Sequence, residues 1–299
     1  MATYNRSNII GYAIETVRRQ TFTDWELLIV GDACTDDTAA VVAAFADPRI
    51  RFWSLPQNHG EQSGPNNAGM AEARGRYVAM LNHDDFWMPG HLARAVALLE
   101  SDASLDLVYG LMVAIHPNGG YRLHGPSPSG SYEPQTEVPA SAWVFRQPLL
   151  ARVGGWRFAR EQYDIPSQDW LTRVVKAGGR TRVIPRLSVV ALQSGGRARS
   201  YADRAEAEHA AWFARISGPA DWEPALLCDV MCSLDLQSYA AASTLAVRPF
   251  LTRAAKNLAR QVLVFGGIRP ASAMLWLKYR KRGAFVEHLR RVRGLDPLR

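Results

Sequence analysis

Three places in the chain put carboxylates directly after apolar runs or at a helix start, where side chains can do chemistry. Gly31-Asp32-Ala33-Cys34-Thr35-Asp36-Asp37-Thr38 follows the run ELLIV at 26–30, and Asn82-His83-Asp84-Asp85 follows YVAML at 77–81. Ser167-Gln168-Asp169-Trp170 comes shortly after Gly154-Gly155-Trp156. A carboxylate behind a strand can accept hydrogen bonds from a base or a ribose, and Asp32 is placed for that. Asp36 and Asp37 are better read as cap and turn residues, with Thr35-Asp36 supplying a helix N-cap. Adjacent carboxylates repel unless a cation or solvent compensates them. A Mg²⁺ or Mn²⁺ ion held by one or two carboxylates and by substrate phosphates would do so, which makes Asp84 and Asp85 candidate metal ligands. Asp169 can serve as a general base, or only as a favourable charge in a first helical turn.

The elements that must position these groups alternate in type. Strand signals at 1–4, 26–30, 50–55, 77–81 and 105–113 are separated by helical patterns at 8–20, 38–45, 65–74 and 89–101. In the first helix Ile9, Ala13, Ile14 and Val17 fall on one side. That rhythm predicts a mostly parallel sheet covered by helices, a Rossmann-like α/β domain whose ligands gather at the carboxyl edge of the strands. The Gly-, Pro- and Ser-rich stretch 116–139 predicts hairpins or loops. A strand is expected at 141–145, helices at 148–153 and 167–177, and strands around Pro185 over 181–192. After the loop 193–200 the chain turns helical. The organisation expected is a catalytic domain over 1–200 and a helical region with a basic tail over 201–299.

Composition narrows the classes. A chain of 299 residues with 47% hydrophobic and 21% charged residues can bury a full core. Its three cysteines give no disulfide framework, and Cys228 and Cys232, four apart without a second Cys/His pair, are expected to be ordinary buried cysteines. No apolar run reaches the length of a bilayer span, and Met1–Asn5 does not resemble a secretory leader. The expectation is a cytoplasmic protein, peripheral at most to the cytoplasmic face of the membrane. The net charge of +7 is uneven: residues 248–299 hold 13 Lys/Arg against 2 Asp/Glu, the rest 22 against 26. A main domain without basic excess argues against nucleic-acid binding.

Taken in order, the motifs resemble family 2 glycosyltransferases of GT-A fold, inverting enzymes that use nucleotide-sugar donors. Thr3-Tyr4-Asn5 matches the end of the opening strand in that family. Gly31–Asp36 matches its Asp-rich run, and Asn67-Ala68-Gly69 with Ala73-Arg74-Gly75-Arg76-Tyr77 its next pair of motifs. Leu81-Asn82-His83-Asp84-Asp85, Gly154-Gly155-Trp156 and Gln168-Asp169-Trp170 follow in sequence. The likeness covers roughly residues 1–200. It implies that Thr3, Tyr4, Asp32, Asn67, Asn82 and His83 face the donor, a UDP-, GDP- or dTDP-sugar. It also implies that Asp84, with Asp85 nearby, holds Mn²⁺ or Mg²⁺, and that Asp169 deprotonates the acceptor. The acceptor would be a saccharide, a lipid-linked saccharide or a small aglycone, as in bacterial-type polysaccharide or glycoconjugate biosynthesis.

Several positions depart from the family pattern. Gly31 replaces the first Asp, Asn82 the leading Asp of the metal motif, Gln168 the Glu beside the base and Asn66 an Arg, while Gln193 stands where a metal-binding His is common. The opening strand also lacks the apolar residues that normally precede Thr3. The lost charge predicts weak metal binding, with Arg197 and Arg199 of the loop closing over the diphosphate in compensation. The basic, aromatic tail around Trp276 suits an anionic membrane surface or a solvated helical face. Two alternatives are a GT-A-like scaffold without turnover and a nucleotidyltransferase, but the second would carry a Gly-rich basic phosphate loop that 3–10 lacks.

Overall fold

The computed structural model of the chain describes residues 1–192, 197–219, 221–242 and 247–298, the side chains of 234–242 and 247–254 excepted. The chain opens with β1 (Ala2–Thr3), α1 (Ser7–Arg18), β2 (Leu27–Gly31), α2 (Thr38–Ala43), β3 (Ile50–Ser54) and α3 (Ser63–Glu72). It continues with β4 (Tyr77–Ala79), β5 (Asp85–Trp87), α4 (His91–Ser101), β6 (Leu107–Ile115), β7 (Tyr121–His124) and β8 (Trp143–Arg146). Then come α5 (Leu149–Val153), α6 (Pro166–Lys176) and β9 (Thr181–Leu192). The helices α7 (Ala207–Ser217), α8 (Trp222–Ala242), α9 (Val247–Phe265), α10 (Pro270–Tyr279) and α11 (Ala284–Arg293) follow.

The first unit forms because its apolar residues recur at the right periods. Ile9, Ile10, Ala13, Ile14 and Val17 put one face of α1 into the core, and burying each larger side chain stabilises the fold by about 1.5–3 kcal/mol. All of β2 is buried, as expected for the middle strand of a parallel layer. It pairs in parallel with β1 on one side and β3 on the other. This is the Rossmann-like part of the fold.

The second sheet is mixed, in the order β4-β8-β6-β9-β5 with β7 beside β6. Only β6 and β9 run parallel within it. Their ladder shifts between Gly110 and Leu111, leaving Pro185 and Arg186 outside the pairing, and a proline without an N–H is tolerated there. The polar run at 82–85 hides β5, which pairs antiparallel with Val189–Ala191 and carries Asp85 into the sheet. No alternation announces a strand of three residues, so sequence periodicity misses it.

A cavity of about 690 Å³ lies between β1, an edge of the first sheet, and β4, an edge of the second; Met1, Leu27, Tyr77 and Val78 are among its walls. Gly69, Arg74, Gly75, Arg76 and Leu81 also line it, but Asp32, His83 and Trp156 do not.

Residues beyond 200 are built into the main body. Leu226 and Val230 of α8 pack with Phe86, Val113 and Val190 in one apolar cluster. Cys228 and Cys232 lie on the other side of α8 and are exposed free thiols, not buried as expected, because the buried stripe falls two residues away. Among the described residues no helix is long and apolar enough to cross a membrane.

Candidate active site

A cavity of about 150 Å³ opens where β1 and β2 end. Thr3, Tyr4, Asp32 and His83 form its floor, and Trp156, Pro166 and Ser167 one wall. Its roof is Tyr201 with Arg290 and Arg293 of α11. A second cavity of about 280 Å³ shares Tyr4, Gly60, Tyr201 and Arg290. Arg290 therefore stands between two compartments of one cleft at the carboxyl edge of the parallel strands, the edge where α/β folds bind ligands.

Asp32 follows β2 and is almost fully buried. Its carboxylate accepts from the backbone N–H of His59 and Gly60 and contacts His59 Nδ1, all at 2.9–3.0 Å. It thus shapes the loop that forms the cleft's rim and has little capacity left for further donors. The position of Gly31 is tight: a Cβ there would lie 3.0 Å from both Cys34 Sγ and Ser54 Oγ, which would have to give by a few tenths of an ångström. Gly60 has φ +75°, and an added Cβ would meet the Arg290 guanidinium at 3.1 Å. Asn5 and Asp36 act locally, Asn5 accepting from the Thr35 N–H at 2.8 Å and Asp36 from the Thr38 N–H at 3.1 Å. Asp36 therefore serves the turn ahead of α2, whose N-cap position is Asp37.

The run 82–85 sends its side chains in different directions. His83 is buried, and burial lowers its pKa, so the ring is neutral. Its Nδ1 lies 3.0 Å from the Ala2 carbonyl and must donate to it, which leaves Nε2 to accept from the Tyr201 hydroxyl at 3.3 Å. Burial works against the Asp84 carboxylate, but charges around it, Arg6 and Arg293 among them, outweigh that and hold its pKa below the ordinary value. Asp85 turns into the sheet and accepts from Ser141 Oγ and from Asn82 Nδ2. Burial and the Asp84 charge push it up to about 8, so at neutral pH it keeps its proton. Asn82 bridges Asp85 and Gln62 Nε2, the latter at 3.3 Å. An aspartate in its place would set a third carboxylate against Asp85 in a buried site.

On the opposite wall, Asn67 is spent on backbone: its Nδ2 donates to Trp156 O at 2.9 Å and its Oδ1 accepts from Trp156 N at 2.7 Å. It fixes the Gly154-Gly155-Trp156 turn, and Trp156 lines the cavity. Trp170 Nε1 holds the same turn through Gly154 O at 2.8 Å. Gln168 is buried and donates to Val138 O at 2.7 Å. Asp169 lies in the first turn of α6, two residues past Ser167, with its side chain 18% exposed. Arg173 Nε grips one of its oxygens at 2.9 Å, and Arg157 stands 3.9 Å from the other.

The basic residues expected over the diphosphate point elsewhere. Arg197 pairs with Glu208 and donates to Ile115 O at 3.2 Å, while Arg199 pairs with Asp203 at 3.2 Å and is largely exposed. Neither lines the cavity. The Gln193 position lies outside the described residues. What the loop does is hold the roof: the Arg199 N–H donates to Val292 O and the Tyr201 N–H to Arg293 O, tying residues 199–201 to α11. The cations that do reach the cavity, Arg290 and Arg293, come from the last helix. Sequence reading registered that the tail is basic, but no local pattern says that it folds back over the first strand.

The first 148 residues match the family model described as Glycosyl transferase family 2. The chain is a member of that family. Among its relatives, the succinoglycan biosynthesis protein ExoO of Rhizobium meliloti (strain 1021) is 41% identical over 96 residues, which are 32% of this chain and 27% of ExoO. The Escherichia coli protein WfgD, a UDP-Glc:alpha-D-GlcNAc-diphosphoundecaprenol beta-1,3-glucosyltransferase, is 30% identical over 118 residues, 40% of this chain and 46% of its own. The chain thus matches less than half the length of either relative. In fold it is similar to residues 1–349 of S. aureus TarS, solved with UDP-GlcNAc: TM-score 0.56, 16% identity, covering 98% of this chain and 89% of that one. The mannosyltransferase PcManGT from Pyrobaculum calidifontis, solved with GDP-Man and Mn2+, matches with TM-score 0.52 and 16% identity over 99% of this chain and 86% of its own. The likeness extends through the C-terminal helices, so the fold of the whole family 2 chain is of GT-A type.

The family 2 chain offers a divalent ion few ligands of its own. No cluster of three His, Cys, Asp or Glu is present among the described residues. Both nitrogens of His83 are engaged, Asp85 holds its proton, and Asn82 is tied to Asp85. Within the run 82–85 that leaves Asp84 as the one carboxylate, a set that fits an ion completed by substrate phosphates but not one held by protein alone.

Proposed function

We propose that this chain is an inverting glycosyltransferase that moves a sugar from a nucleoside diphosphate donor to an acceptor hydroxyl. One observation carries the reading. Thr3 Oγ1, Trp156 Nε1 and Arg293 Nε are all buried, all without a hydrogen-bond partner, and all on residues lining the same cavity. Buried polar groups are nearly always satisfied, and an unpaired one costs about 1–3 kcal/mol. A donor with a polar nucleoside and a charged diphosphate would offer all three a partner once the side chains around the cavity move to admit it.

In this reading Thr3, Tyr4 and the Asp32-shaped rim receive the nucleoside, and Arg290 and Arg293 face the diphosphate. Asp84 would hold a Mn²⁺ or Mg²⁺ ion together with the phosphates, and such an ion supplies stabilisation of charge building on the leaving group. The arginines contribute the same stabilisation from the roof, through charge-assisted hydrogen bonds in a site shielded from water. The neutral His83 ring holds Tyr201, and through it the roof, over the floor. Asp169, on the wall across from the floor, takes the proton of the acceptor hydroxyl, and Arg173 orients it. Attack from that side, opposite the leaving diphosphate, inverts the anomeric centre. Asp169 is carried here from its motif and its place at the start of α6; the cavity lining itself reaches only as far as Ser167 of that helix.

The cavity of about 150 Å³ is below the roughly 300 Å³ of a small-molecule pocket. Donor entry therefore requires the Arg290 side chain to leave the Gly60 carbonyl, which would join the two compartments. The testing experiment is a thermal-shift screen of the full chain against UDP-, GDP- and dTDP-sugars with and without Mn²⁺, followed by NMR of the transferred linkage. A stabilising donor and an inverted product are expected. No stabilisation by any donor, or a product of retained configuration, would overturn the reading.

A further inference from the structure

The tail holds a surface that the cleft does not use. Between Asp235 and Glu287 the chain contains no carboxylate. In α9 Leu258, Val262 and Phe265 follow one another at steps of four and three, the spacing of one helix face, and all are exposed, Phe265 at 98%. In α10 Met274, Trp276 and Leu277 are exposed as well. Lys256, Arg260 and Lys278 are exposed along the same two helices. An apolar face framed by cations and free of carboxylates would stay wet on a protein with no further partner, and it is the composition of helices that lie in the interface of an anionic bilayer.

The surface has a fixed place relative to the cleft. Arg269, at the start of α10, is buried and pairs with Asp164 at 3.3 Å, and Ser272 Oγ donates to the same carboxylate. The Gly283 N–H donates to Gln162 O at 3.0 Å. These contacts tie α10 to the segment that leads into α6, the helix carrying Asp169.

We propose that the C-terminal half of α9, α10 and the turn between them dock on an anionic lipid bilayer, so that an acceptor saccharide carried on a membrane lipid meets the wall bearing Asp169. Phe265 and the Gly266-Gly267 turn form the tip that enters the interface, while the lysines and arginines lie at the headgroups. A second copy of the chain is a poorer occupant, because a two-fold contact would set two carboxylate-free basic faces against each other. The docking itself does not depend on the transferase reading; the delivery of the acceptor does.

The test is co-sedimentation of the full chain with vesicles of phosphatidylcholine alone or of phosphatidylcholine with phosphatidylglycerol. Two variants accompany the wild type: Phe265→Ser with Leu277→Ser, and Lys256→Glu with Lys278→Glu. These side chains are exposed, so both variants should melt like wild type. Binding is expected only to the anionic vesicles, weakened about tenfold by either variant and by high salt. Equal sedimentation of wild type and variants, or none with anionic vesicles, overturns the proposal. So does a self-association in solution that Phe265→Ser abolishes. Donor-induced thermal stabilisation, measured without vesicles, separates the two readings: if it persists while vesicle binding fails, docking alone is wrong. If vesicle binding persists while it fails, the transferase reading alone is wrong.

Discussion

On and beneath the floor of the cleft the buried carboxylates are matched: Asp32 by two backbone N–H groups and His59, Asp84 by Arg6 and Arg293, Asp85 by its own proton. Between Asp235 and Glu287 the tail has no carboxylate of its own, and of its cations Arg269 is matched by Asp164 and Lys281 by Glu287. The floor is buried, where an uncompensated charge costs several kcal/mol, so its geometry must resolve every one. The tail is exposed, where water screens unpaired cations cheaply. Where the two regions touch, α11 brings Arg290 and Arg293 from the side with excess to the side that is closely balanced. The roof is thus the one part of the tail that the floor has recruited.

The largest effect expected is on the floor's opposite wall. Asp169→Asn keeps shape but removes basicity, and kcat should fall by about 10²–10⁴-fold with donor affinity unchanged. Retention of more than about a tenth of wild-type kcat would make Asp169 only a first-turn charge held by Arg173.

Next comes Asp84→Asn, which should lower transfer by about 10²-fold or more and abolish any Mn²⁺-dependent gain in nucleotide affinity. Full activity in excess chelator would leave the diphosphate to the arginines of the roof alone. The roof itself is tested by Arg293→Ala, which should raise the donor KM by about ten- to a hundredfold with a smaller change in kcat, as for loss of a charged hydrogen bond. Arg197→Ala, by contrast, should act through roof stability and leave the donor KM nearly unchanged. If Arg197→Ala raised KM as strongly as Arg293→Ala, the assignment of the roof to α11 would be wrong.

A smaller effect concerns acid. His91 is buried without a hydrogen-bond partner for either ring nitrogen, and burial lowers its pKa to about 3. The unfolded chain binds this proton near the ordinary value of about 6.5. Its contribution to stability is therefore complete above that value and is lost as pH falls from there toward 3. Denaturant unfolding of His91→Phe should show a shallower acid slope than wild type; identical slopes would place the acid sensitivity elsewhere. The smallest effect belongs to Asp85→Asn. A carboxyl that keeps its proton at pH 7 is mimicked by an amide, so activity there should change little. A loss as deep as that of Asp84→Asn would return Asp85 to the metal site.

The sequence by itself determined the parallel unit, because each of its strands and helices declares itself within a dozen residues. Ile9 to Val17 repeat at the helical period, and the run at 26–30 is apolar throughout. It also pointed to Asp32, His83 and Trp156, which line the cavity, since residues that follow a strand have few places to go. Short-range pattern could not show β5, three residues long, or the direction Asp85 takes once that strand pairs with β9. Nor could it show that Asn67 would be used on the Trp156 backbone, or that Gly31 packs closely against Cys34 and Ser54. Above all, tertiary structure decided the roof. Arg290 donates to the Gly60 carbonyl across 230 residues of chain, and no periodicity encodes a contact whose partners are set only by how the whole chain packs.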